Sequence, residues 1–214
     1  MKKPPVISLI GPDGAGKSTQ TRKLVDAFES NDIDCEYRWF GAKHLVSLPL
    51  LAYARLTGLS EVKQLESGRK IGYHYFWQSK VVSTLYPVLL LVDTYLFYIA
   101  QVYVPTVIFG RTLVCDRFVY DIVVSVMLSI DDDEFYRTFV GDLFLRLIPD
   151  RSCTILLTTD AEYLRPRRDD VRSDETLPRM VELYDELADY NGIQRIDATK
   201  PSEQIHEEIV DRLT

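Results

Sequence analysis

A chain of 214 residues is long enough for one well-buried α/β domain and short for two. Its 46% hydrophobic and 27% charged residues match an ordinary globular protein, and a formal net charge of −7 argues against a general nucleic-acid-binding surface. The three cysteines, Cys35, Cys115 and Cys153, are too few and too widely spaced for a disulfide framework or a zinc site, which points to a reducing, cytoplasmic compartment.

From the N-terminus, Lys2-Lys3 and the apolar run after them do not read as a signal peptide, because the run is short and leads straight into a glycine-rich loop. Residues 6–10, Val-Ile-Ser-Leu-Ile, have the composition of a buried strand. Gly11-Pro12-Asp13-Gly14-Ala15-Gly16-Lys17-Ser18-Thr19 follows, and then Leu24, Val25 and Phe28 fall on one helical face. Strand, glycine-rich turn and helix give the pattern G-x-x-x-x-G-K-[ST] the context of a phosphate site. Glycines let the backbone approach an anion closely, and the loop N–H groups and helix N-terminus surround it. Lys17 supplies charge for the outer phosphates and the Ser18 hydroxyl a ligand for Mg2+, so a nucleoside triphosphate is expected here.

Residues 33–39 read as a second strand, with Arg38, Trp39, Phe40 and Lys43 at its carboxyl end. Those four are either a ligand edge or a mixed surface loop. Residues 46–59 form an apolar helix pattern broken by Pro49, and a charged helix is expected from about Glu61. In residues 72–80 four aromatics and His74 precede Lys80; such a cluster either stacks a planar ligand or belongs to the core, and His74 reads as structural. Residues 81–109 are strongly apolar, but Asp93, Pro87 and Pro105 interrupt them and the aromatics are scattered rather than gathered at the ends. A long buried helix packed against a second subunit is the preferred reading, a peripheral membrane contact stays open, and Asp93 is either a cap or a site residue.

Residues 112–118 make a strand ending in Asp116 and Arg117, where a carboxylate can hold Mg2+ and the guanidinium a phosphate. Helices are expected over 121–130 and 135–147, with a solvated acidic turn at 131–134 between them, and a strand over 153–157. Arg165, Arg167, Arg168 and Arg172 lie in a charged segment, about 163–173, that suits a lid closing over phosphates. A helix over 177–190, a strand over 194–197 and a final helix from Ser202 complete a three-layer α/β P-loop fold, a five-stranded parallel sheet flanked by helices in one domain spanning 1–214.

The loop with Arg22-Lys23-Leu24-Val25, the Asp116-Arg117-Phe118 run, the arginine-rich segment and Ile196-Asp197-Ala198-Thr199 with the helix after it together resemble the thymidylate kinase family of P-loop nucleoside monophosphate kinases. The resemblance implies Mg2+-dependent transfer of the ATP γ-phosphoryl group to a monophosphate, dTMP foremost, by a homodimer acting on small nucleotides rather than on nucleic acid or membrane. It implies that Gly11 to Thr19 hold ATP, that Ser18 and Asp116 serve Mg2+, and that the turn after the last strand borders the adenine. It further implies that Asp13 contacts the acceptor sugar, Arg117 orients the acceptor phosphate, Phe76 stacks the base and Lys80 replaces a phosphate-binding arginine. Gly14 stands where some members carry a loop arginine, a task the resemblance passes to Arg165, Arg167 and Arg168. The segment 37–43 and the long apolar block depart from the family pattern, both on the acceptor side.

Overall fold

Strand β1 (Val6–Ile10) is buried at every position, as is β5 (Thr112–Asp116), the burial that a strand acquires when helices cover both faces of a parallel sheet. The computed structural model describes residues 4–64, 70–167, 172 and 174–213. Its five-stranded sheet is parallel throughout in the order β2-β5-β1-β6-β7, with β2 at Cys35–Trp39, β6 at Cys153–Thr158 and β7 at Gln194–Asp197. Side chains alternate between two cores. Val6, Ile10, Leu113, Cys115 and Leu156 face one side, and Ile7, Leu9, Val114, Ile155, Leu157 and Ile196 the other. The first core is closed by α3 (Lys80–Tyr98), α4 (Val119–Ile130), α5 (Phe139–Leu145) and α7 (Leu177–Asn191). The second is closed by α1 (Lys17–Glu29), α6 (Ala161–Leu164) and α8 (Ser202–Asp211). This is the three-layer α/β sandwich expected from the sequence.

Three local expectations are corrected. The charged helix from about Glu61 is instead an antiparallel hairpin, β3 (Ser60–Gln64) with β4 (Lys70–His74), whose register pairs Ser60 with His74. Pro49 does not break a helix: α2 (Leu48–Leu56) carries it in its first turn, where the missing N–H has no intrahelical partner to lose. Residues 135–147 divide into a 3-10 turn, Phe135–Arg137, and α5, because Thr138 starts a new helix by accepting from the Gly141 N–H at 3.1 Å.

α3 continues into a π-helix (Ile99–Ile108), giving one helical run over Lys80–Ile108 that is long and apolar enough to cross a membrane. Within the single chain 28% of its most apolar window is buried, so most of that window faces outward. Val82, Tyr86 and Leu90 enter the domain core, and buried Asp93 accepts the Val46 N–H at 2.6 Å and the Ser47 N–H at 2.9 Å, fixing the entry to α2. One face of the run thus belongs to the domain, and Asp93 has the capping role.

Candidate functional site

The carboxyl ends of β1, β2 and β5 converge, the edge where open α/β sheets bind ligands. After β1 the backbone takes positive φ at Gly11 (136°), Gly14 (88°) and Gly16 (93°). A Cβ on Gly11 would lie 2.5 Å from the Leu157 carbonyl oxygen, so the loop rests directly on β6. α1 then opens at Lys17 with no side chain capping its first turn, which leaves the N–H groups of that turn for an anion. Lys17 is buried; its ammonium donates to the Gly11 carbonyl at 2.6 Å and the Pro12 carbonyl at 2.8 Å. Burial, and next the charge of Arg117, holds Lys17 below the ordinary lysine value although Asp13 lies 3.8 Å away. The cradle and its cation fit a polyphosphate.

Two cavities flank the loop. The larger, about 690 Å³, is lined by Asp13, Gly14, Lys17 and Ser18 on the loop side, by Tyr37, Trp39, Gly41 and Ala42, and by Asp116, Arg117, Ile122 and Ser125. The smaller, about 190 Å³, lies between Ala15, Gly16, Thr19 and Arg167 and the Ala198–Ser202 turn after β7. Gly16 and Thr19 border both. Ser18 is exposed beside Asp116, whose carboxylate accepts the Tyr37 hydroxyl at 3.1 Å. Burial, and then that carboxylate, raises the Tyr37 phenol above its ordinary value and keeps it a donor.

Arg117 has φ 70°, a left-handed backbone uncommon outside glycine, and its N–H bonds the Leu9 carbonyl at 3.1 Å. The guanidinium is ion-paired with Asp13 and lies 3.7 Å from Asp121. Burial opposes its charge, but the two carboxylates outweigh burial and hold it above the usual arginine value. Asp121 is fully buried, accepts the Phe118 N–H at 2.8 Å, capping α4, and accepts the Tyr184 hydroxyl at 2.7 Å. Burial still raises its carboxyl above the ordinary range.

The remaining expected residues divide. Arg167 reaches the loop, donating to the Gly14 carbonyl at 3.4 Å, with its guanidinium 4.2 Å over the Tyr163 ring. Arg165 instead bonds the Arg172 carbonyl at 3.0 Å, and Arg168 lies outside the described residues. Arg38 faces away from the cavity, because a strand alternates its side chains and Tyr37 and Trp39 point in; it pairs with Glu36 and buries an Nε that lacks a partner. Phe76 is 0% exposed, packed against His74 at 4.8 Å and Tyr86 at 4.6 Å between ring centroids. Lys80 is exposed at the start of α3 and, like Phe76, does not line either cavity.

Sequence reasoning missed Asp121, Tyr184 and the inward Tyr37. Asp121 stands three residues after Phe118, the residue that caps α4, a legible capping distance, and Tyr37 follows from Trp39 by strand alternation. Tyr184 is one apolar-face position of α7 and nothing local marks it. Set against known protein-family models and curated proteins, the chain matches none.

Proposed function

We propose that this protein is a Mg2+-dependent kinase that transfers the γ-phosphoryl group of ATP to a nucleoside monophosphate, dTMP in the first instance. The observation that carries the reading is the pair of cavities meeting at Gly16 and Thr19 of one phosphate loop, with Arg117 and the buried Lys17 both lining the larger. ATP fits with its phosphates on Gly11 to Thr19 and its adenine toward the turn after β7. The acceptor then occupies the larger cavity, its phosphate on Arg117. That phosphate displaces Asp13 from the guanidinium and leaves the Asp13 carboxylate for a sugar hydroxyl. Ser18 and Asp116 would hold Mg2+, which supplies charge neutralisation between phosphate oxygens when bound. Lys17 and Arg167 add fixed positive charge where the transferring group gathers negative charge, and the enclosed geometry aligns donor and acceptor.

Coupled ADP release with ATP and Mg2+ across a panel of monophosphates tests the reading. Stimulation by dTMP is expected, and a Lys17→Ala variant that stays folded should lose about 10²–10³-fold or more of turnover. A fully active Lys17→Ala variant would overturn the mechanism. A second reading, the same transfer to another phosphorylated acceptor, is favoured by the placement of Phe76, Lys80 and Arg38 away from the larger cavity. Preference for another monophosphate over dTMP in that panel would select it. The reading carries a cytoplasmic homodimer with it: Cys115 and Cys153 are free thiols, and α3 presents an uncharged apolar face.

A further inference from the structure

The larger cavity is lined by Lys17 and Arg117, by the carboxylates of Asp13, Asp116 and Asp121, and by the aromatic side chain of Trp39. Lys17 stands on the loop after β1, two strands or about 10 Å from β2, whereas Arg117 follows Asp116, the register partner of Trp39, and so lies one strand or about 5 Å from the end of β2. Trp39 is 46% exposed although it lines the cavity, and its hydrocarbon body has a fixed backing. A Cβ added to Gly41 would come within 2.4 Å of the indole Cζ2 and 2.5 Å of Cη2, so the six-membered ring lies directly over a residue that has no side chain. Ala42, Ile122 and Ser125 also line it, the Ser125 hydroxyl donating to the Asp121 carbonyl at 2.9 Å.

The other aromatic candidates are occupied. Phe76 is enclosed by His74 and Tyr86, and the Tyr37 hydroxyl is committed to Asp116. Trp77 packs edge-on to Tyr75 at 5.3 Å and does not line the cavity. An indole half open to a cavity that also holds the Arg117 guanidinium matches a ligand that carries both an anion and a planar ring.

Resting on the kinase reading for the identity of the cavity, we propose that Trp39 is the stacking platform for the acceptor, and that the acceptor is a phosphate monoester bearing a planar heterocycle. Trp39 then sets acceptor specificity in place of Phe76, and Gly41 is kept bare so that the indole can lie flat. Any side chain at position 41 lifts the ring off its backing.

The chain has two tryptophans, so Trp77→Phe leaves Trp39 as the sole indole reporter. In that background dTMP should quench the emission saturably, whereas ribose 5-phosphate and inorganic phosphate, which bring the anion without the ring, should not. In steady-state assays Trp39→Ala should raise KM for the preferred monophosphate about ten- to hundredfold, the range for one ring on an aromatic face, with KM for ATP held within about twofold. Trp39→Phe should recover most of that loss, which a role in filling space alone would not predict. Unchanged acceptor KM in Trp39→Ala overturns the stacking and leaves the kinase standing. Quenching by ring-bearing monophosphates with no turnover upholds the stacking and overturns phosphoryl transfer. Equal quenching by ribose 5-phosphate, or none by any monophosphate in the panel, overturns the stacking.

Discussion

Arg117 holds an unusual backbone angle and a charge that three other side chains adjust. Asp13 faces it from the loop, Asp121 from α4, and Tyr184 acts one step further away by donating to Asp121. The Asp121 carboxylate has to remain ionised in a buried place to attract the guanidinium, and burial works against that. The Phe118 N–H and the Tyr184 hydroxyl are the donors that favour the ionised form. Tyr184→Phe removes one of them without changing shape. Losing a buried hydrogen bond to a charged group costs about 1.5–3 kcal/mol of stability, and a share of about 1.4 kcal/mol felt at Arg117 is a tenfold loss. The expected outcome is a lower Tm together with about tenfold higher KM for the acceptor and an unchanged KM for ATP. A lower Tm with both KM values intact would make Tyr184 a packing residue only. Tyr184 is thereby a positioning residue, reaching the acceptor only through Asp121 and Arg117.

Among the elements, the β3–β4 hairpin carries one titratable residue, His74, that packs into the domain. His74 faces Ser60 with Nδ1 2.9 Å from its hydroxyl, and its ring packs on Phe76 and near Tyr86. Burial, and secondly the neighbouring His44, pushes His74 from 6.5 down to about 4. The folded state therefore keeps His74 neutral where the unfolded chain takes up a proton. Its contribution to stability is complete above about pH 6.5 and is lost as pH falls toward 4, amounting to about 3 kcal/mol at most. His44, also lowered by burial, acts in the same direction. Tm measured from pH 7.5 to 4.5 should fall, and His74→Gln should flatten part of that fall; an identical profile in the variant would show that the hairpin does not carry it. This element was the least legible in the sequence. β1, β5 and β6 announce themselves because burial on both faces demands continuous apolar runs, and Gly11 to Ser18 because an anion site demands those residue types in that order. Residues 60–64 and 70–74 form a two-stranded ribbon outside the main sheet, with charged residues among them and no continuous apolar run. The site divides the same way. The loop, Asp116 and Arg117 were legible as contiguous motifs, whereas the direction of Arg38 and the burial of Phe76 depend on which face the folded sheet turns inward.

On the scale of the whole molecule, the face that α3 leaves uncovered has the pattern of a helix seam. Val81, Leu85, Val88, Val92, Tyr95 and Ile99 are each at least 37% exposed, spaced alternately four and three residues apart. That is the 3.5-residue period of knobs-into-holes packing. Beyond Ile99 the exposed positions Tyr103 and Ile108 follow at four and five, which suits the wider winding of the π-helix, so the stripe runs about 40 Å. Asp93, the one charged residue between Val81 and Phe109, is turned into the domain. A partner for such a surface has to be as long, as apolar and as free of charge, and a second copy of the chain about a two-fold axis supplies that surface at no further requirement. In sedimentation velocity the protein is expected at twice the chain mass. Val92→Asp would set two carboxylates against each other near the middle of the seam, unpaired and desolvated, and should shift the protein to the monomer at micromolar concentration. Because Val92 lies on the face opposite the core, Tm at low concentration should change little. A wild type that sediments as a monomer in detergent-free buffer, or a Val92→Asp dimer as tight as the wild type, would assign the seam to something other than self-association.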